Sequence, residues 1–234
     1  MVSPRQSDAV AGRLRDLVFD GALQPGVRLP NETALAQEFG VSRPTLREAL
    51  RSLAAQDLIR TAKGAGGGSY VTLPSRLGVS RFLHSSLTLM AGAEDISLDE
   101  LLEARELLEV PAARLAATRI DAAGLERLRE QIPHEPMRLP ATEQFAYNQD
   151  FHSVVIEASG NTLLSIAAQP IFGVLQRNLA RSRLGARFHR LVNDEHVAIA
   201  AAIAAGDADA AAAEMQGHLR HIRPYYEQAW RTRR

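Results

Sequence analysis

The chain of 234 residues contains seven histidines, all at or beyond His84, and three of them, on three separate helical segments, are candidates for one metal site. His152 follows Asn148 by four residues, so both side chains lie on one helix face. His196 and His218 belong to two later helical segments. Three imidazoles and one amide oxygen, brought together from three helices of a bundle, suit a divalent metal such as zinc. Because these residues are distant in sequence, the spacing leaves open that each histidine is an ordinary core or surface residue.

A row of arginines is the second set of residues with a chemical use. Arg43, Arg47 and Arg51 are spaced at i, i+4 and i+8, and leucines at positions 46, 50 and 53 form a neighbouring helix face. Arginine can donate two hydrogen bonds to guanine O6 and N7 in the major groove of DNA. The alternative is a solvated helix face on which Glu48 pairs with Arg51.

The overall composition limits the class of protein. Lys and Arg together number 27, as do Asp and Glu, and a protein that coats DNA without regard to sequence is usually far more basic. No cysteine is present, so disulfides and thiolate metal sites are excluded. No signal pattern opens the chain and no apolar run reaches the ~18 residues of a membrane span, so we predict a cytoplasmic protein without a membrane partner.

Residues 1–75 are predicted to form one DNA-binding domain. Apolar residues at helical spacing predict helices at 6–20, from Asn31 to Gly40, and from Ser42 to about Gln56. Two short strands are expected at 58–62 and 69–72, joined by a glycine-rich hairpin tip. Three helices followed by a two-stranded wing are the order of a winged helix-turn-helix.

Residues 76–234 are predicted to form a second domain, an all-helical antiparallel bundle, which makes the whole chain mainly α. Its expected helices span 78–91, 97–117, 121–131, 141–158, 161–183, 187–205 and 208–229. Pro170 is expected to kink the fifth of these helices, and the proline-bounded segment 133–140 is expected to be a loop.

The N-terminal motifs resemble the winged helix-turn-helix of the GntR family over roughly residues 8–73. The matching motifs are Leu29-Pro30-Asn31-Glu32, Gly40-Val41-Ser42-Arg43, Leu46-Arg47-Glu48-Ala49-Leu50 and Leu58-Ile59. The resemblance implies base contacts by Arg43 and Arg47 and contacts to the DNA backbone by Ser42 and Thr45. It also implies that the wing tip at Lys63 and Gly64 enters the minor groove. Thr33 departs from the family pattern, which often has an arginine there, so a DNA contact at that position is expected to be weakened or lost.

The second half is similar to the FadR-type, or FCD, ligand-binding domain over about residues 78–226. The matching motifs are 101–109, 148–152, 159–161, 195–199, 202–203, 206–207 and 218–219. Matched position by position to the metal-binding members, the resemblance implies that the ligands are Asn148, His152, His196 and His218.

The neutral amide of Asn148 has a consequence for the ligand. Three neutral imidazoles and an amide leave the full +2 charge of a metal inside the bundle, which is costly unless an anion binds there. We therefore expect a small carboxylate effector. Arg105 is the candidate for a second clamp on it, because arginine grips carboxylates in bidentate fashion. The alternative for Arg105 is a surface ion pair with Glu109, four residues later.

Together these features predict a DNA-binding transcription regulator, with a repressor favoured, rather than an enzyme. A homodimer would place two recognition helices on an inverted repeat of double-stranded DNA. Effector binding would then change operator affinity through linkage of the two equilibria. Two alternatives stay open at this point, a metal-dependent enzyme and a direct metal sensor.

Overall fold

A computed structural model describes residues 4–62, 64, 67–135, 138–178 and 184–231. The chain divides into two compact units, Met1–Arg76 and Leu77–Arg234. The described residues are mostly helical, and the predicted fold class, a winged helix-turn-helix plus a helical domain, is confirmed.

In its described residues the first unit contains three helices and one hairpin. Helices α1, α2 and α3 span Pro4–Phe19, Glu32–Glu38 and Arg43–Ala55. Strands β1, Ile59–Ala62, and β2, Gly68–Val71, pair antiparallel with Ile59 opposite Val71. This hairpin is the predicted wing.

Local chemistry explains where α2 and α3 begin. Asn31 and Ser42 are the N-caps, and each side chain accepts a hydrogen bond from a backbone N–H in the first turn of its helix. Between the helices Gly40 has a φ of 63°, a conformation that glycine adopts without strain. Leu46 and Leu53 are fully buried and anchor α3 to the rest of the unit, so its arginines face outward.

The second unit is a bundle of seven helices among its described residues. They are α4 Arg76–Gly92, α5 Leu98–Arg119, α6 Ala122–Glu130, α7 Ala141–Ala158, α8 Thr162–Asn178, α9 Ala186–Ala204 and α10 Ala208–Arg231. A capping box formed by Ser97 and Glu100 starts α5. This helix packs against α7, α8, α9 and α10, and so provides the inner wall of the bundle. No described helix is both long and apolar enough to cross a membrane.

The helix predicted at 161–183 and the loop predicted at 133–140 both contain prolines, and the structure describes each of them in part. Helix α8 contains Pro170 in its interior, as expected, and the kink at Pro170 stays a prediction. The predicted helix 161–183 ends at Asn178 in the described residues, and 179–183 lie outside them. The described part of 133–140 contains no α-helix, while 136–137 lie outside the described residues.

Candidate functional site

Three of the predicted metal ligands come together in the core of the bundle. One ring nitrogen from each of His152, His196 and His218 lies within 4.8 Å of the others. All three side chains are buried. The Nε2 atoms of His152 and His218 are 3.2 Å apart and face each other. Helices α7, α9 and α10 each supply one ring, so only the packed bundle can form this cluster.

Two glutamates contact the outer nitrogens of these rings. Glu109 Oε2 lies 2.6 Å from His152 Nδ1, and Glu195 Oε2 lies 2.8 Å from His218 Nδ1. The Glu109 contact is short but not aligned along a ring N–H, whereas the Glu195 contact has hydrogen-bond geometry. A carboxylate on Nδ1 favours the tautomer with a free Nε2, as in metal-binding histidines.

Asn148 and His196 contribute atoms that have no hydrogen-bond partner. Among the described residues, Asn148 Oδ1 and His196 Nε2 are buried and unpaired. An unpaired buried polar atom costs about 1–3 kcal/mol. The amide nitrogen of Asn148 points to Tyr226 Oη at 3.5 Å, which leaves Oδ1 as the atom available for another partner. Both orphaned atoms are electron-pair donors of the kind that a divalent metal binds, so the residues present fit such an ion.

Burial keeps the three rings neutral near pH 7. Desolvation lowers the pKa of His152 to about 4, although Glu109 opposes this shift. Burial also lowers the pKa of His196 well below 6.5, and the pKa of His218 in the same direction. Neutral imidazole is the form that binds metal, so these rings are ready to act as ligands without losing a proton.

These shifts predict how the stability of the metal-free protein depends on pH. In the unfolded chain each histidine takes up a proton near its ordinary pKa of about 6.5, whereas folded His152 does so only near 4. The unfolded state therefore binds more protons between these values, and stability should fall as the pH drops from about 6.5 to about 4. Urea unfolding in chelator, followed by the fluorescence of Trp230, the one tryptophan of the chain, measures this.

A matched control separates the buried rings from ordinary histidines. His134 is exposed, so His134→Gln should leave the pH dependence unchanged. A free energy of unfolding that stays level across this pH range would contradict the prediction.

The position of Arg105 contradicts one of its two sequence-based interpretations, the surface ion pair. It does pair with Glu109, but the pair is buried, with side chains 3% and 1% exposed, so the surface pair is wrong. Its Nε and Nη2 donate to the two carboxylate oxygens at 2.5 and 3.2 Å. Burial raises the pKa of Glu109, but Arg105 and His152 outweigh burial and hold it at about 2. A buried ion pair therefore borders the histidine cluster.

A small cavity of about 10 Å³ adjoins these groups. Its lining consists of Arg105, Phe145, Asn148, Gln149, His152, Phe172, Leu175 and Tyr226. The Arg105 guanidinium lies over the rings of Phe172 and Tyr226, at 5.4 and 5.9 Å from their centres. This volume has room for about one water molecule and is far below the roughly 300–1,000 Å³ of pockets for drug-sized ligands, so an organic molecule would enter only if the lining side chains moved apart. The clamp role of Arg105 stays a prediction.

Glu109 and Glu195 belong to the site but were not among the residues predicted for it from the sequence. A signal for Glu109 was present, because buried positions of α5 at 98, 102, 105, 109, 112 and 116 follow helical spacing. Glu109 and Arg105 fall on that inward stripe, which argues for a buried pair. For Glu195 the signal was its position next to His196, which did not decide between a role at the site and one at an interface; its carboxylate also contacts the exposed His221 at 2.5 Å.

The predicted DNA-binding residues lie on α3 and the wing. The side chains of Arg43, Arg47 and Arg51 are 57%, 51% and 75% exposed. Arg51 pairs with Glu48 at 3.0 Å, as the solvated-face alternative expected for that residue. Arg47 and Arg43 instead approach Glu32 of α2.

The remaining residues that were predicted to contact DNA differ in their exposure. Ser42 is exposed, while Thr45 is buried, and their hydroxyl oxygens lie 2.7 Å apart. The structure therefore does not bring the Thr45 hydroxyl to the surface, and its backbone contact stays a prediction. Gly64 is exposed at the wing, and Lys63 lies outside the described residues.

Comparisons with known proteins give matches along most of the chain. Residues 6–68 match the family of bacterial regulatory proteins described as gntR, and residues 100–221 match the FCD domain. A regulatory protein of Escherichia coli (strain K12), named for the L-lactate dehydrogenase operon, is 35% identical over 230 residues, 95% of this chain and 87% of that protein. The HTH-type transcriptional regulator LutR of Bacillus subtilis (strain 168) is 32% identical over 213 residues, 88% of this chain and 94% of LutR. The solved structure of Streptococcus agalactiae GntR covers 94% of this chain and 99% of its own, with 25% identity and a TM-score of 0.54.

Proposed function

Since this chain belongs to the gntR family of bacterial regulatory proteins and carries an FCD domain, we propose that a small carboxylate, bound at a metal site in that domain, controls its affinity for DNA. The chain is a transcription regulator, and the alternative of a metal-dependent enzyme is wrong, because its relatives are regulators. The observation that carries the proposal is that two buried atoms, Asn148 Oδ1 and His196 Nε2, have no hydrogen-bond partner. They lie beside His152 and His218, each of which has a glutamate carboxylate close to its Nδ1 atom.

The metal ligands in this proposal are Asn148, His152, His196 and His218. The ion, zinc or a similar divalent metal, supplies a +2 charge and coordination positions that the protein leaves free. Arg105 and Glu109 cancel each other's charge, and Glu195 adds a single negative charge. The charge balance inferred from the sequence included neither Glu109 nor Glu195. With both counted, the site with its metal bound still has an excess of positive charge, which favours an anion.

We place the effector in the cavity beside the cluster, which Arg105 lines. Because that cavity has a volume of only about 10 Å³, the lining side chains must move apart to admit a carboxylate, and a small acid requires the least movement. L-lactate is the first acid to examine, because the Escherichia coli relative is named for the L-lactate dehydrogenase operon. Arg105 has already given two of its nitrogens to Glu109, so we propose that it assists the metal rather than binding the acid alone.

The DNA-binding half of the proposal assigns residues 1–75 to operator binding and 76–234 to effector binding and dimerisation. A homodimer sets two α3 helices on an inverted repeat. Arg43 and Arg47 contact bases, Ser42 contacts the DNA backbone, and Lys63 and Gly64 enter the minor groove. Effector binding shifts operator affinity because the acid binds one arrangement of the dimer better than the other.

A thermal-shift experiment tests the effector and the metal together. L-lactate should raise the melting temperature of zinc-loaded protein, with about 2.7 kcal/mol of stabilisation at a concentration of 100 Kd. Chelator should abolish the shift, as should His196→Ala. His134→Ala is the matched control, because it removes an exposed histidine of the same unit.

Further arms of the same experiment separate the alternatives. Lactamide, which lacks the negative charge, should give no shift, and an equal shift from lactamide would contradict an anion site. A shift that persists in chelator would contradict the role of the metal. Operator binding that responds to chelator with no organic acid present would instead favour a direct metal sensor.

A further inference from the structure

Glu32 connects the two helices of the DNA-binding motif. It is the first residue of α2, placed there by the Asn31 cap, and its carboxylate reaches α3. Its Oε2 accepts a hydrogen bond from Arg47 Nε at 2.7 Å and lies 3.9 Å from Arg43 Nη2. A single carboxylate thus contacts both arginines that are proposed to read bases.

The atom that Glu32 engages determines what Arg47 can still donate. A guanidinium has five N–H donors, one on Nε and four on its two terminal nitrogens. With Nε–H bound to Glu32, both terminal nitrogens keep their N–H groups for another partner. Guanine O6 and N7 require two parallel donors, which these terminal nitrogens supply. The contact therefore orients Arg47 and leaves its base-reading edge available.

The same contact also changes the charge of the recognition surface. Binding to DNA without regard to sequence grows with each positive group that neutralises a phosphate. A carboxylate that lies against Arg47 and close to Arg43 offsets part of their charge. This should weaken attraction to arbitrary phosphates, while contacts to the correct bases are retained.

We propose that Glu32 is a positioning residue that determines specificity, by orienting Arg47 for a base contact and by reducing nonspecific attraction to DNA. The inference rests on the proposed role of α3 in base reading.

Glu32→Gln tests this inference, with Glu48→Gln as the matched control. Glu48 contacts Arg51 at 3.0 Å on the same exposed surface, so both variants remove one negative charge beside an arginine. The probes are a duplex selected by the wild-type protein from a random-sequence library and a scrambled duplex of equal length.

Glu32→Gln should bind the scrambled duplex more tightly but the selected duplex no better, which lowers the ratio of the two affinities by about tenfold, the effect of one base contact. The affinity of Glu32→Gln for the scrambled duplex should also fall more steeply with salt. The slope of log affinity against log salt concentration should steepen by about 0.9, the value for one more phosphate contact. Glu48→Gln should raise both affinities and keep the ratio. A merely damaged domain would bind both duplexes more weakly. Tighter binding of the scrambled duplex without tighter binding of the selected duplex therefore distinguishes positioning from misfolding.

A double-mutant cycle with Arg47→Ala completes the test. The loss of specificity caused by Glu32→Gln should vanish in the Arg47→Ala background, because no oriented guanidinium is left there. An undiminished effect in that background, or a ratio equal to that of Glu48→Gln, would overturn the inference alone. If the wild-type protein selected no sequence from the library, the proposed base-reading role of α3 would fail instead.

Discussion

The double variant Arg43→Ala, Arg47→Ala is expected to bind its selected operator duplex on the order of a thousandfold more weakly than the wild-type protein. Each bidentate contact between arginine and guanine is worth about 1–3 kcal/mol, and this variant removes two such side chains. The fold should persist, because both side chains are about half exposed while Leu46 and Leu53 hold α3 in place. Fluorescence anisotropy at fixed salt measures the affinity, and circular dichroism checks the fold.

A control of equal charge shows whether the loss concerns base reading. Arg127 and Arg129 lie exposed on α6 in the other unit, so replacing both with alanine removes the same charge. That variant should keep the ratio between selected and scrambled duplex. If the α3 variant stayed folded and kept the same ratio, Arg43 and Arg47 would not be the base-reading residues.

Glu109→Gln is expected to lower the free energy of unfolding of the second unit by about 3–5 kcal/mol, the cost of leaving one partner of a buried ion pair unpaired. The variant leaves the Arg105 guanidinium charged and 3% exposed, without the carboxylate that it contacts through two nitrogens. Urea unfolding in chelator, followed by Trp230, measures the loss without a contribution from bound metal.

Two further variants identify the cause of that loss. Arg105→Met combined with Glu109→Gln removes the stranded charge and should recover much of the stability, since apolar replacements of buried ion pairs are often neutral. Glu126→Gln breaks the exposed pair between Glu126 and Arg129, and should cost at most about 1 kcal/mol. A Glu109→Gln effect as small as that of Glu126→Gln would show that the buried pair contributes little.

Much of the fold could be predicted because the relevant patterns are local. The caps at Asn31 and Ser42 and the leucine face of α3 depend on residues within one or two helical turns of each other. The same holds for the shared face of Asn148 and His152. His196 and His218 were candidates from their helical segments, and the family motifs then assigned them to one site with His152, which their distance in sequence could not do.

Contacts between elements could be predicted less well. Arg105 and Glu109 were correctly expected to meet, because they are four residues apart on one helix, but the pair was assigned to the surface. Thr45 was expected to face DNA, yet it is buried. In each case the spacing along one helix was predicted correctly. Spacing alone did not show which side of that helix is covered by other helices.

Helical periodicity is a property of a few consecutive residues, so the amino-acid order alone was enough to establish the helices, their caps and the faces on which the arginines and histidines lie. Which atoms meet depends on how separate helices pack, since a carboxylate reaches a distant partner only when two backbones are held at one distance and angle. The contacts of Glu32 with Arg47, Glu109 with His152 and Glu195 with His218 all arise in this way. These contacts could be identified only from the tertiary structure.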